Sequence, residues 1–315
     1  MHLLVYVPLL APVLAAVCAR PLADRLHPAA ATWLLTLSAL TLAAASCAML
    51  GLIALAAALR LPAVAAAGGL SRRAVSRIDP ASLPLGVIAA SLLAVAAMAA
   101  VHAAWRRTAA IARAHREARH LSGAGNVVII EDERVDAYAA PGWPGRVVVT
   151  SGMLAALSDR ERDVLLAHEG AHATGRHYLF TGAVRLASAA NPLLRPVSAA
   201  VSYSVERWAD EQAARAVGNR ELAARTVAKA ALAASARPPW RRPPAVLAAV
   251  PRQFTDRRSG AVPRRVGALL LPAPRRNLLL PAMAAVVLVA SAAAVIGVAG
   301  DVHAMIELAQ AAWSR

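Results

Sequence analysis

Residues 157–175 read LSDRERDVLLAHEGAHATG, and this stretch decides what kind of domain the chain builds. Ser158 followed three residues later by Glu161 is a capping box, so a helix is expected from Asp159 to about Gly175. On that helix His168 and His172 are four residues apart, one turn along the same face, which lets both imidazoles reach a single metal ion. Glu169 lies beside them, completing HExxH. In that arrangement the two histidines hold zinc and the glutamate acts as general base on a water molecule. The bland alternative is a pair of histidines on a helix surface.

A catalytic zinc usually takes three protein ligands and keeps one position for water. Downstream of the motif, His177 stands nine residues after His168, with Tyr178 at the tenth position, where a long HExxHxxGxxH motif needs its third histidine. One residue of displacement rotates a helical side chain by about 100 degrees. No methionine follows before Met283 to make the turn that accompanies that motif. The stretch ERWAD, residues 206–210, is the better source. Glu206 lies 34 residues after His172, and Asp210 follows one turn later on the same helix face. Glu206 can then bind the metal while Asp210 accepts a hydrogen bond from the second nitrogen of a ligand histidine. The competing reading of these acids, with Glu211, is a solvated cluster on a basic domain. The expected site is therefore one Zn2+ per chain on His168, His172 and Glu206, with Glu169 as base and Asp210 as hydrogen-bonding partner. For the group that stabilises an oxyanion, His177, Tyr178, Tyr203 and Arg207 remain open.

Working outward, NVVII (residues 126–130), RVDAYAA (134–140) and RVVVT (Arg146–Thr150) read as three short strands, the last two joined by the turn-forming PGWPG. Arg146–Thr150 is either a core strand or an edge on which an extended substrate adds as a further strand. Beyond the motif, helices are expected over 178–190, stopping at NP, over 193–217, ending at GN, and over 221–236. Residues 237–277 are rich in Pro and Arg and read as an extended basic connector with one or two short helices.

Composition sets this domain in a membrane. The 315 residues are 58% hydrophobic and only 4% aromatic, too apolar for an ordinary soluble protein. A bilayer span needs about 20 mainly apolar residues, and residues 3–19, 31–59, 84–105 and 278–299 supply four such stretches free of acidic and basic side chains. No Lys or Arg precedes the first stretch, which is read as a retained span rather than a cleaved signal. The fold class expected is mainly α: a four-span helical membrane protein whose loop between spans three and four forms a small α+β metalloprotease domain. Its parts are three spans in 1–105, the protease domain in 106–236, the connector in 237–277, the fourth span in 278–299 and a short tail in 300–315. Both cysteines, Cys18 and Cys47, fall in spans, which leaves no thiolate zinc site and no disulfide framework.

Flanking arginines set the orientation. Arg20, Arg25, Arg106, Arg107, Arg113, Arg116, Arg119, Arg264, Arg265, Arg275 and Arg276 border the side of the long loop, against Arg60, Arg72, Arg73, Arg77 and Arg315 opposite, eleven to five. The long loop is thus expected in the cytoplasm. From Arg106 to Arg276 there are 27 basic and 14 acidic residues, a net +13 that suits an anionic leaflet. The arginines are scattered and follow no nucleic-acid-binding motif, so no nucleic-acid partner is expected.

HExxH followed at a few tens of residues by ExxxD, in the third loop of a four-span chain, resembles the bacterial integral-membrane zinc metallopeptidases that include the beta-lactam-sensing antirepressor proteins. The resemblance runs over the spans, the strands, LSDRERDVLLAHEGAH, ERWADEQAA and the basic RRVGALL before the last span. HtpX and CAAX-processing membrane proteases share the two motifs at a longer interval. The resemblance implies a gluzincin fold in the bacterial inner membrane, with a protein or peptide substrate such as a transcriptional repressor, or else misfolded membrane proteins in quality control. It departs from the sensors after the fourth span, where Gly300 to Arg315 are too few for a penicillin-binding domain. A non-catalytic zinc-binding sensor or scaffold is the alternative from another class, and it requires a fourth strong ligand.

Overall fold

The computed structural model describes residues 5–70, 83–120, 126–142, 145–235, 261–272 and 279–313. Runs of Ala, Leu and Val free of helix-breaking pairs form its long helices: α1 (Tyr6–Arg25), α2 (Pro28–Ala58), α4 (Leu83–His120) and α11 (Leu279–Ala311), with the short α3 (Pro62–Ala67) after α2. These four long helices are long and apolar enough to cross a membrane. They keep large apolar side chains such as Val17, Val95, Val101 and Ile296 exposed, as lipid contact requires. Helix α2 packs against α1, α4 and α11. The approach of α2 and α4 is close enough that a Cβ at Gly86 would lie 2.0 Å from the Ala57 Cβ. Small residues permit such crossings between spans. Gly86→Leu is expected to cost about 1–3 kcal/mol by overpacking, read as a lower unfolding midpoint in detergent; an unchanged midpoint would contradict the close crossing.

Helix α11 runs past the expected end of the fourth span. Residues 300–311, expected as a tail, continue the helix because Val302, Met305 and Ala309 pack on Ala56, Leu59, Ala65 and Leu70 at that end of α2 and α3. The connector is helical at its far end: α10 (Ala261–Leu270) lies within the stretch read as mainly extended. Arg72, Arg73, Arg77, Arg275, Arg276 and most of the Pro/Arg-rich run lie outside the described residues.

The motif-bearing helices follow the sheet. Strands β1 (Val127–Ile130), β2 (Ala137–Ala140) and β3 (Arg146–Thr150) precede α5 (Ser151–Ala156), α6 (Asp159–Thr174), α7 (His177–Ala190), α8 (Arg195–Val217) and α9 (Arg220–Ser235). The sheet order is β1-β3-β2, β3 pairing parallel with β1 and antiparallel with β2. Arg146–Thr150 is therefore an interior strand with both edges occupied, and the expectation that it offers an edge to substrate is corrected. Its Val147 and Val149 pack with Met153, Leu157 and Leu165, which fixes α6 to the sheet.

Helices α7 and α8 form a hairpin that packs among the spans. Phe180, Val184, Ala187, Leu194, Val197 and Val201 share one core with Ala11, Ala19, Leu35, Ala39 and Leu42 of α1 and α2. At the hairpin tip the Asn191 amide donates to the Ser46 hydroxyl at 3.1 Å, and Ser46 in turn donates to the Pro8 carbonyl at 2.8 Å. Pro12 has no N–H to offer that carbonyl. A side chain from α2 thus satisfies a polar group that α1 leaves open, as an apolar environment demands.

Candidate metal centre

Helix α6 begins as its sequence dictates, with the Ser158 and Glu161 capping box formed. It crosses α8 closely, and the crossing brings HExxH against ERWAD. His168 Nε2 and His172 Nε2 are 3.2 Å apart. The Glu206 carboxylate places Oε2 at 3.7 Å from His168 Nε2 and Oε1 at 3.7 Å from His172 Nε2. One ligand atom from each residue falls within 4.8 Å of the others, so the three could hold a metal ion. Donors on a tetrahedral zinc, bonded at about 2.0–2.2 Å, stand about 3.3–3.6 Å apart. The triangle, with sides of 3.2, 3.7 and 3.7 Å, is close to that size.

The charges around the triangle are buried and compensated. His168 Nδ1 lies 3.1 Å from Asp210 Oδ1, the partnership the one-turn spacing from Glu206 suggested. Burial pulls the His168 pKa down, but Asp210 and Glu206 outweigh it and hold the imidazole up at about 9. His172 is driven well below the usual imidazole range by burial and by the charge on His168. The Glu169 carboxyl is fully buried, neither oxygen has a hydrogen-bond partner, and burial pushes it up to about 7.

Sequence reasoning missed Arg265. Counted there as a membrane-flanking charge, it is 2% exposed and sits inside the site. Its Nε and Nη2 donate to the two Asp210 oxygens at 2.8 and 2.7 Å, and Nη1 lies 3.0 Å from Glu206 Oε2. The planar guanidinium suits this fork, which a point charge could not make. Despite its own burial, Asp210 is held well below the usual carboxylate range, chiefly by Arg265. A signal was present: Arg265 shares with Val262, Val266 and Leu269 the helical spacing of one face, and Val262, Val266 and Leu269 pack with α9.

Each of the four candidates for an oxyanion group makes a contact of its own. Arg207 donates to the Ala23 carbonyl at 2.6 Å, at the end of α1. Tyr203 lies under the Arg264 guanidinium, 4.0 Å from it. The Tyr178 carbonyl accepts from Arg107. His177 packs behind His172, its Nδ1 2.9 Å from His172 Nδ1.

Residues 95–191 match the family model of Peptidase family M48. The matched stretch contains HExxH and ends before Glu206, Asp210 and Arg265, so the match does not bear on these three. No curated protein and no solved structure matches the chain. Peptidases of that family are metal-dependent, typically through zinc. Together the match, the His168–His172–Glu206 group and the four apolar helices support a membrane metallopeptidase, a hydrolase with a protein substrate. The match does not reach the narrower sensor-type resemblance.

Proposed function

We infer that the chain is a membrane-embedded zinc metalloendopeptidase that cleaves a cytoplasmic protein. The observation that carries this is a buried carboxylate without hydrogen-bond partners, Glu169, set beside three donors arranged at zinc spacing. A structural zinc fills four protein positions, whereas this group has three members among the described residues. When bound, zinc supplies Lewis-acid polarisation of a water molecule and of the peptide carbonyl. Glu169 takes the proton of the attacking water and delivers it to the leaving amine. His168, His172 and Glu206 hold the ion, and Asp210 aims His168 while Arg265 balances the two carboxylates it spans. The excess of arginines flanking the long loop supports a cytoplasmic substrate, and a signalling role such as repressor cleavage rests on the sequence resemblance alone.

Glu206→Ala tests the ligand set. The purified variant is expected to lose its zinc and, with it, cleavage, while its helix content by circular dichroism is unchanged. In cells, fragments present with the wild-type chain and absent with Glu206→Ala identify the substrate. A variant that keeps both zinc and proteolysis would overturn the assignment.

A further inference from the structure

His177 lies on the far side of a ligand from the metal-competent nitrogens, and its surroundings are built rather than incidental. Helix α6 stops at Gly175, and Arg176 adopts the left-handed conformation, φ 47°, which folds the chain back so that the first residue of α7 meets His172. The return is tight: a Cβ on Gly175 would lie 2.6 Å from His177 Nε2. Trp208, two residues after Glu206, covers the other side of the ring at a centroid distance of 4.7 Å. The His177 ring is 1% exposed, stands edge-on to His172 and brings Nδ1 to 2.9 Å from His172 Nδ1.

We propose that His177 is the positioning residue of His172: its Nδ1 accepts the Nδ1–H of His172 and so fixes the tautomer whose Nε2 lone pair faces the metal. This rests on the metal reading above. A neutral imidazole is free to carry its proton on either nitrogen, and only one of the two forms can ligate through Nε2. The two ligand histidines are then aimed by unlike partners. His168 leans on a carboxylate whose charge Arg265 balances, whereas His172 leans on an uncharged ring. His177 brings no carboxylate to His172, so this partnership calls for no arginine of its own. The hydrogen bond also ties the start of the α7–α8 hairpin, which packs among the spans, to a metal ligand.

The test measures zinc affinity of the full-length chain in detergent, by competition with a chelator, for the wild type, His177→Leu and His177→Asn. Leu fills space without an acceptor, whereas the Asn carbonyl falls near the place of Nδ1. His177→Leu is expected to weaken zinc binding by about 10–100-fold, and His177→Asn to restore most of it. Cobalt-substituted His177→Leu at saturating metal is expected to keep the wild-type ligand-field spectrum. Leu binding as tightly as wild type, or Asn as weakly as Leu, would show that the ring acts by packing on Trp208 and overturn the proposal alone. A cobalt spectrum that loses a nitrogen ligand would make His177 a ligand and equally overturn it. Should His177→Leu fail to fold, His177→Gln replaces it, since its amide reaches toward Nε2 and is expected to bind weakly where Asn binds well. A wild-type chain that takes up no zinc would instead overturn the metal reading, and this proposal with it.

Discussion

Glu169→Gln lowers the rate of peptide cleavage by about 10²–10⁴-fold, the usual contribution of a positioned general base, and leaves the zinc content of the purified chain unchanged. The amide keeps the size of the carboxylate and loses its ability to take a proton. Glu169 is separated in role from its neighbours by geometry: His168, His172 and Glu206 point donor atoms at one another, whereas the oxygens of Glu169 are buried without hydrogen-bond partners. Burial places its pKa at about 7, near the working range of a base, and a divalent cation nearby favours the charged form it needs. Cleavage of an unfolded protein substrate and elemental analysis of the same preparation check both halves. Proteolysis that survives would remove Glu169 from its role, and zinc lost with the activity would make it a ligand instead.

Arg265→Ala destabilises the chain by about 3–5 kcal/mol, because it strands the buried carboxylate of Asp210 and the partly buried one of Glu206 without this guanidinium. Two carboxylates share this guanidinium, and both lie on α8 beside the metal-competent histidines. The loss is read as a lowered thermal midpoint. Added zinc recovers part of it, since a cation bound to the folded state stabilises by mass action and supplies positive charge in the same place. Arg265→Lys recovers little, as an ammonium cannot span Asp210 and Glu206 at once. An alanine variant as stable as wild type would show that the buried pair contributes nothing to the fold.

Much of this architecture was legible because local signals agreed with one another. The capping box at Ser158, the NP that stops α7 and the GN that ends α8 place the motif helices within a residue or two. The charge-free apolar runs marked the long helices, and the one-turn spacings of His168 with His172 and of Glu206 with Asp210 anticipated which side chains would converge. What escaped depends on long-range pairing. Nothing local in RVVVT states that it lies between two other strands, because periodicity reports burial and is silent on neighbours. Arg265 follows a Pro/Arg-rich run, where one more arginine reads as a solvated charge; only the apolar residues around it mark the buried face. Helix α11 continues beyond the charge-free run of 278–299, since Asp301 and Glu307 do not break a helix that packs on α2 and α3. His177 was weighed as a ligand or an oxyanion donor, both roles facing the metal, while the left-handed turn at Arg176 puts it behind His172.

The central claim is that two turns of α6 and an acid from α8 hold one zinc ion. Elemental analysis of the purified full-length chain, after incubation with zinc and removal of the excess, tests it most directly. The account predicts one zinc per chain, lost on Glu206→Ala; a wild-type chain that carries none and takes up none contradicts it.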